Sequence, residues 1–286
     1  MSSQTFAAAL LNGQCYLSYV SATALKLIPQ GGNNIQCTGV SYQIASAGVS
    51  AANTSVQIAA VGTGVLSSGS LAASTAYYVA FQILSGTQTL TFYPAASFSH
   101  APDTTVGNTG IEVITNGGTP ITGATLTGLI NTNASSQFFN MGVASWFNPQ
   151  PKYTSAVLGS ATALNSATWV EISTALRIPF VTFGNRAPTI EHDGSYSTGN
   201  ITESVHLGLG IDGSASANLV RVSGNTAAAQ QECSANISAK AILTEGSHYA
   251  TLSGESASAY QVNFAVFNIT AGTYPIGNRL QVTIDG

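Results

Sequence analysis

Along most of this chain, apolar and polar residues alternate one for one. Val205, Leu207, Leu209 and Ile211 are separated by His206, Gly208 and Gly210, and the rhythm recurs at Val262, Phe264 and Val266 and at Leu280, Val282 and Ile284. A period of two puts apolar side chains on one face of an extended strand and polar ones on the other, so each segment reads as a half-buried strand. The first half follows suit with Leu17 and Tyr19, Leu25 and Leu27, and Ile35 and Cys37, the last pair entered through a Gly31-Gly32-Asn33-Asn34 turn. Residues 77–84 and 89–93 flank Ser85-Gly86-Thr87, a hairpin signal, and Gly117-Gly118 and residues 62–69 are further turn clusters. No window carries a sustained helical stripe with caps; only residues 7–11 and 226–231 predict a turn or two of helix. Short strands with frequent turns predict an all-β protein of two β-sandwich or barrel-like domains built from antiparallel strands, the C-terminal one jelly-roll-like.

The run Trp146-Phe147-Asn148-Pro149-Gln150-Pro151 interrupts this pattern. Proline cannot donate to a sheet ladder, so the segment predicts a linker between a domain at 1–148 and another at 152–286. Within the first, the Ala-, Ser-, Gly- and Thr-rich stretch 45–75 predicts an extended loop or arm rather than packed sheet.

Charge changes at the same boundary. The chain has 7 Lys and Arg and 11 Asp and Glu, 6% of its residues, against about 25% in an ordinary soluble domain. Only Lys26, Asp103 and Glu112 precede Lys152, and only His100 of the four histidines does. Interspersed surface charge keeps a monomer in solution, so a nearly uncharged half is expected to be covered by copies of itself or by neighbours. The composition points to an assembly component, with the charge-poor half docked and the charge-rich half facing outward.

Other classes recede on the same grounds. A net charge of −4 with seven scattered cations makes no basic stripe for nucleic acid. No apolar run approaches the 18 or so residues of a membrane-spanning helix, so no membrane insertion is expected. The N-terminus lacks the basic and apolar regions of a secretory signal, which implies folding in a cytosol. Cys15, Cys37 and Cys233 are odd in number and widely spaced, without the paired spacing of a zinc site; they read as buried thiols, with a Cys15–Cys37 cross-link the alternative.

Catalytic constellations are close to absent. His100, His192, His206 and His248 show no metal-binding spacing, and there is no nucleophile elbow, P-loop or dinucleotide fingerprint. No cofactor and no metal are expected. Glu191-His192-Asp193 is the densest cluster of potential ligands, but neighbouring strand residues face opposite ways, and a solvated loop ending in Asp193-Gly194 is expected instead. Glu191, Asp193, Glu203 and Asp212 are the group from which a pair of glycosidase carboxylates would have to come. Trp169, Tyr196, Tyr249 and Tyr260 suit either core positions or stacking on sugars. The Asn-X-Ser/Thr sequons beginning at Asn53, Asn200, Asn236 and Asn268 read as chance in a chain this rich in those residues.

Two stretches carry a resemblance. Asn12-Gly13-Gln14-Cys15-Tyr16-Leu17, followed by Ser21-Ala22-Thr23-Ala24-Leu25-Lys26-Leu27 and the Gly31-Gly32-Asn33 turn, resembles the start of tail-fibre-like and other virion proteins of tailed bacteriophages. The strands at 77–79 and 87–92, Leu129-Ile130-Asn131-Thr132-Asn133 and Ser145-Trp146-Phe147-Asn148 fit the same pattern. Leu243-Thr244-Glu245-Gly246-Ser247-His248-Tyr249, with Leu252 and Gly254, is similar to a strand-turn-strand unit of phage fibre tips. The resemblance implies a virion structural protein without catalytic residues, assembled in the host cytoplasm, forming a homotrimer and contacting other virion proteins of tail or capsid.

Within that class, a fibre or fibre-like appendage that attaches the particle to the host surface is the first expectation. A capsid decoration (cement) protein that stabilises the head is the alternative, a polysaccharide-degrading virion enzyme the lesser one, and a non-viral adhesin or lectin-like module lies outside the class. Recognition belongs to loops on a rigid scaffold. The turns expected to contact a host surface glycan are Glu191-His192-Asp193-Gly194-Ser195-Tyr196 and Asp212-Gly213-Ser214, with His192, Asp193, Tyr196 and Asp212 the residues singled out and Tyr196 stacking on the sugar.

Overall fold

The structure is a computed structural model, described here for residues 13–183, 186–198, 204–213, 221–225, 232–240, 242–256, 262–264 and 278–284. It is all-β: among the described residues the regular structure is strand, apart from single 3-10 turns at Asn140–Gly142 and Thr174–Leu176. The expected helical turns at 7–11 and 226–231 lie outside the described residues. The chain divides into two compact units, Met1–Gln150 with Glu245–Ser247 and Gly286, and Pro151–Thr244 with His248–Asp285.

In the first unit, β1 (Cys15–Ser21) pairs with β2 (Ala24–Pro29), β3 (Asn34–Cys37) with β4 (Val40–Gln43), and β5 (Val49–Ala52) returns to the far side of β2. An eight-stranded sheet follows, made of β6 (Val56–Ala59), β7 (Leu66–Gly69), β8 (Ala76–Leu84), β9 (Thr87–Pro94), β10 (Ser99–Pro102), β11 (Glu112–Asn116), β12 (Thr119–Asn131) and β13 (Val143–Ser145). Its order is β10-β11-β12-β8-β9-β6-β7, with β13 also on β12. The alternating residues converge as expected. Leu17, Leu25, Leu27, Ile35, Phe81 and Phe92 are buried in one cluster, where Tyr77 meets Phe92 edge-on at 6.4 Å. Ser85 (φ 49°) and Gly86 (φ 81°) supply the paired left-handed residues that a two-residue hairpin between β8 and β9 demands.

Cys15 and Cys37 are free buried thiols in this core. Burial pushes the Cys15 thiol up to about 12 and raises that of Cys37, whose Sγ donates to the Gly123 carbonyl at 3.1 Å. The side chain of Cys233 lies outside the described residues.

One expectation for this unit needs correction. Residues 45–75 carry three paired strands, β5, β6 and β7, joined by exposed turns, and are not a loose arm: β6 runs parallel to β9 and antiparallel to β7, and Ala51, Val56, Ala59 and Leu71 are buried. Small side chains blur the period of two in sequence, yet they let neighbouring backbones close up. The division between the units falls within the proline-rich segment, between Gln150 and Pro151, and up to residue 148 the segment is bonded to the first unit. Asn148 donates from Nδ2 to the carbonyls of Gly13 (2.8 Å) and Cys15 (3.0 Å), Ser145 Oγ donates to the Phe147 carbonyl, and the Trp146 N–H donates to the Thr127 carbonyl.

The second unit contains β14 (Lys152–Val157), β15 (Thr162–Leu164), β16 (Val170–Glu171), β17 (Ile178–Thr182), β18 (Thr189–Thr198), β19 (Ser204–Ile211), β20 (Arg221–Asn225), β21 (Glu232–Lys240), β22 (Gly246–Ser256, from His248 onward), β23 (Val262–Phe264) and β24 (Arg279–Ile284). One sheet runs β14-β24-β18-β23-β15 with β21 along the other edge of β18; the second runs β16-β22-β19-β20 with β17 on β22. Ile190, Ile237, Leu280 and Val282 of the first are buried, as are Val205, Leu207, Leu209 and Leu252 of the second. Gly254 sits where a Cβ would meet Leu164 of the first sheet and Leu207 of its own within 3.1 Å, which marks the seam of a sandwich. In place of the expected strand-turn-strand at 243–254 there is a single strand, β22, which begins at Gly246 and is held between β16 and β19.

Candidate functional site

The second unit's first sheet presents a regular array outward. Register aligns Tyr153, Thr283, Thr189 and Lys240 in one row across β14, β24, β18 and β21. The next row is Ser155, Gln281, Glu191 and Ser238, and the third is Val157, Arg279, Asp193 and Asn236. These positions alternate with buried Ile190, Ile237, Leu280 and Val282, so the array is the solvent side of the sheet. Within it, Ser238 Oγ donates to Glu191 Oε1 at 3.3 Å, Arg279 Nη2 lies 3.5 Å from Asp193 Oδ2, and Tyr153 donates its hydroxyl to Gln281 Oε1. An open depression of about 290 Å³ is lined by Glu191, Asp193, Asn236, Ser238, Arg279 and Gln281.

Glu191–Tyr196 is therefore not a loop. It lies inside β18, paired on both sides, and the period of two splits it between two faces. Glu191 and Asp193 reach the outer array. His192 is 2% exposed, its Nε2 lying 3.0 Å from Asn278 Oδ1, and Asn278 Nδ2 donates to the Ser195 carbonyl at 2.8 Å. Burial lowers the His192 pKa, holding the imidazole neutral. Tyr196 is 3% exposed and meets Phe264 at 6.3 Å, so it is a core ring and does not stack on an external sugar. The alternation Ile190, His192, Gly194, Tyr196 was the available signal; the dense charge and the Asp-Gly pair masked it.

Asp212 does occupy a turn, with φ 56° followed by Gly213 at 72°. Its carboxylate is committed locally: Oδ2 lies 2.8 Å from His248 Nδ1 and Oδ1 accepts the Tyr249 N–H at 2.9 Å. The His248 Nε2 lies 2.8 Å from the Thr244 carbonyl, and Arg177, bidentate to Glu171, stands 4.8 Å over the Tyr249 ring. Ser214, Glu203, Tyr260, Asn200 and Asn268 lie outside the described residues. Trp169 stacks on His206 at 6.4 Å, and His206 contacts Glu255 at 2.8 Å.

The first unit places a polar group around His100. Nδ1 lies 2.8 Å from Glu112 and Nε2 3.1 Å from Glu245, to which Tyr78 donates its hydroxyl, while Trp146 meets the imidazole edge-on. Burial opposes a charge on His100, but the two carboxylates outweigh it and raise its pKa. Among the described residues, no group of three or more His, Cys, Asp and Glu is placed to hold a metal ion.

No protein-family profile matches the chain, and no curated sequence is similar to it. Among solved structures it is similar to the insecticidal delta-endotoxin Cry8Ea1 of Bacillus thuringiensis, with a TM-score of 0.30 at 9% identity over 96% of this chain and 52% of that one. It is also similar to infectious bursal disease virus of the Gx strain, at 0.27 and 9% over 95% and 75%. A mutant VP2 protein of the same virus, in T=1 particles, scores 0.27 at 8% over 95% and 72%. The chain spans about half the length of the endotoxin. Likenesses this slight assign no function, and the chain's own residues have to.

Proposed function

We propose that this protein is a structural component of a bacteriophage virion, a fibre-like appendage that docks through its first unit and displays its second for host attachment. The observation that carries the reading is the near absence of charge on the first unit. Of its three acidic and basic side chains before Lys152, two are consumed internally. Asp103 is 8% exposed and accepts from Thr105 N–H and Asn108 Nδ2, and Glu112 binds His100. Val20, Val40, Val61, Val65 and Val106 are meanwhile exposed on the same unit. A surface with few charges and scattered valines suits burial against protein, where unpaired charge is costly. Docked many times over on one particle, even weak contacts by the second unit sum to firm attachment.

The reading includes a homotrimer, no catalytic role, and other virion proteins as partners. Deleting the protein from its phage should leave intact particles that adsorb poorly. Fragile heads would favour the capsid decoration alternative instead. Release of reducing sugars from host polysaccharide would replace the reading with an enzymatic one.

A further inference from the structure

We infer that the outer face of the β14-β24-β18-β21 sheet is a binding site for a neutral glycan. The inference rests on the attachment reading for its biological meaning, but its chemistry stands on the face itself. Three rows of four residues, spaced about 4.8 Å across strands and about 6.8 Å along them, cover roughly 14 Å by 14 Å, enough for a short run of linked sugar rings. The middle and third rows contribute an amide from Gln281, an amide from Asn236, carboxylates from Glu191 and Asp193, a guanidinium from Arg279 and a hydroxyl from Ser238. Planar groups with two donors or two acceptors match neighbouring hydroxyls of a pyranose, each of which both donates and accepts.

Two features select the ligand class. Glu191 and Asp193 balance Arg279 and Lys240, so the face carries no net charge to favour an anionic or cationic partner. Two of the bonds within the face are long enough to exchange for ligand, the Ser238–Glu191 contact at 3.3 Å and the Arg279–Asp193 contact at 3.5 Å, while the Tyr153 hydroxyl holds Gln281 firmly. At the edge strand, Tyr153 is 53% exposed beside the polar rows, and its ring offers the flat apolar surface on which the C–H face of a sugar packs. The depression of about 290 Å³ among the polar groups is open and just below the size of ordinary small-molecule pockets.

The full chain should be titrated with a panel of neutral oligosaccharides (glucans, mannans and galactans) and of anionic ones, by saturation-transfer NMR and calorimetry. At least one neutral glycan should bind saturably at about 1 mM or below. Tyr153→Ala and Asn236→Ala should each weaken it about tenfold or more with circular dichroism unchanged, while Ile242→Ala, on an exposed residue elsewhere in the unit, should leave it intact. Binding should persist in high salt. No saturable neutral ligand, equal binding by the two face variants, or binding confined to anionic glycans and abolished by salt would each overturn the site. A chain that binds glycan but is absent from purified particles would sink the virion reading alone; a chain on particles that binds none would sink this site alone.

Discussion

Replacing Asn278 by Ala removes a buried side-chain amide that ties the β18 backbone to the imidazole of His192. Asn278 is fully buried; its Oδ1 faces His192 Nε2 at 3.0 Å and its Nδ2 donates to the Ser195 carbonyl at 2.8 Å. Truncation strands a buried ring N–H and weakens the satisfaction of a buried carbonyl. The stranded N–H costs about 1–3 kcal/mol and the lost bond to the carbonyl about 1 kcal/mol, so about 2–4 kcal/mol is expected in total. That is a large share of a domain's stability of about 5–15 kcal/mol. With a urea slope of about 1–3 kcal/mol per molar, the midpoint should fall by about 1–2 M. The chain has two tryptophans, Trp146 in the first unit and Trp169 in the second. In a Trp146→Phe background, Trp169 fluorescence therefore reports the second unit. Gly194→Ala supplies the cross-check, because its Cβ would lie 2.3 Å from Asn278 Oδ1 and 2.8 Å from His192 Nε2 and must displace the same amide. The double variant should cost clearly less than the sum of the singles. A loss below about 0.5 kcal/mol for Asn278→Ala, or full additivity with Gly194→Ala, would refute this account of the β18 core.

Acid and base should act in opposite directions on the two units. His100 has a folded pKa raised above its ordinary 6.5, so its stabilisation is complete below 6.5 and is lost as pH rises through the folded value. His192 has a depressed one, so the second unit should gain stability as pH rises from that depressed value to 6.5. Unfolding curves at several pH values, read through Trp146 and Trp169 singly, should show these opposite slopes, and parallel slopes would count against the assignments. Gly86→Ala should cost about 1 kcal/mol, since a Cβ in the left-handed region is strained, and chemical denaturation measures it. Light scattering should give a mass near three times 29.1 kDa, reduced by Val61→Asp with Val106→Asp; a monomer insensitive to concentration would contradict the docked first unit.

Strands were legible wherever one face is apolar and the other polar. The β8–β9 hairpin and its Ser85-Gly86 turn, the β1–β2 pair, β19 and β24 all follow from alternation plus turn chemistry. Residues 45–75 were not legible because Ala, Ser and Gly flatten the hydropathy contrast, while the pairing of β6 with β9 is a long-range, parallel contact with no local signature. The site was misplaced for a related reason. Glu191-His192-Asp193-Gly194 has turn-like composition, but its flanks Ile190 and Tyr196 share the face of His192, and tertiary packing of that face prevails over local propensity. Gln281, Arg279 and Tyr153 went unnoticed because nothing local sets them apart. They become a group only when β24 brings β14 and β18 into register.

The central claim is that the first unit is docked on a particle and the second is displayed. Single cysteines at Val106 in the first unit and at Ser155 on the outer face of β14, introduced in a Cys233→Ser background, test it directly, since Cys15 and Cys37 are buried. Purified particles carrying each variant should be treated with a membrane-impermeant maleimide before and after dissociation. The account expects Ser155→Cys to label on intact particles, and Val106→Cys to label only once they are taken apart. Equal labelling of both on intact particles, protection of Ser155→Cys alone, or absence of the chain from the particles would contradict it.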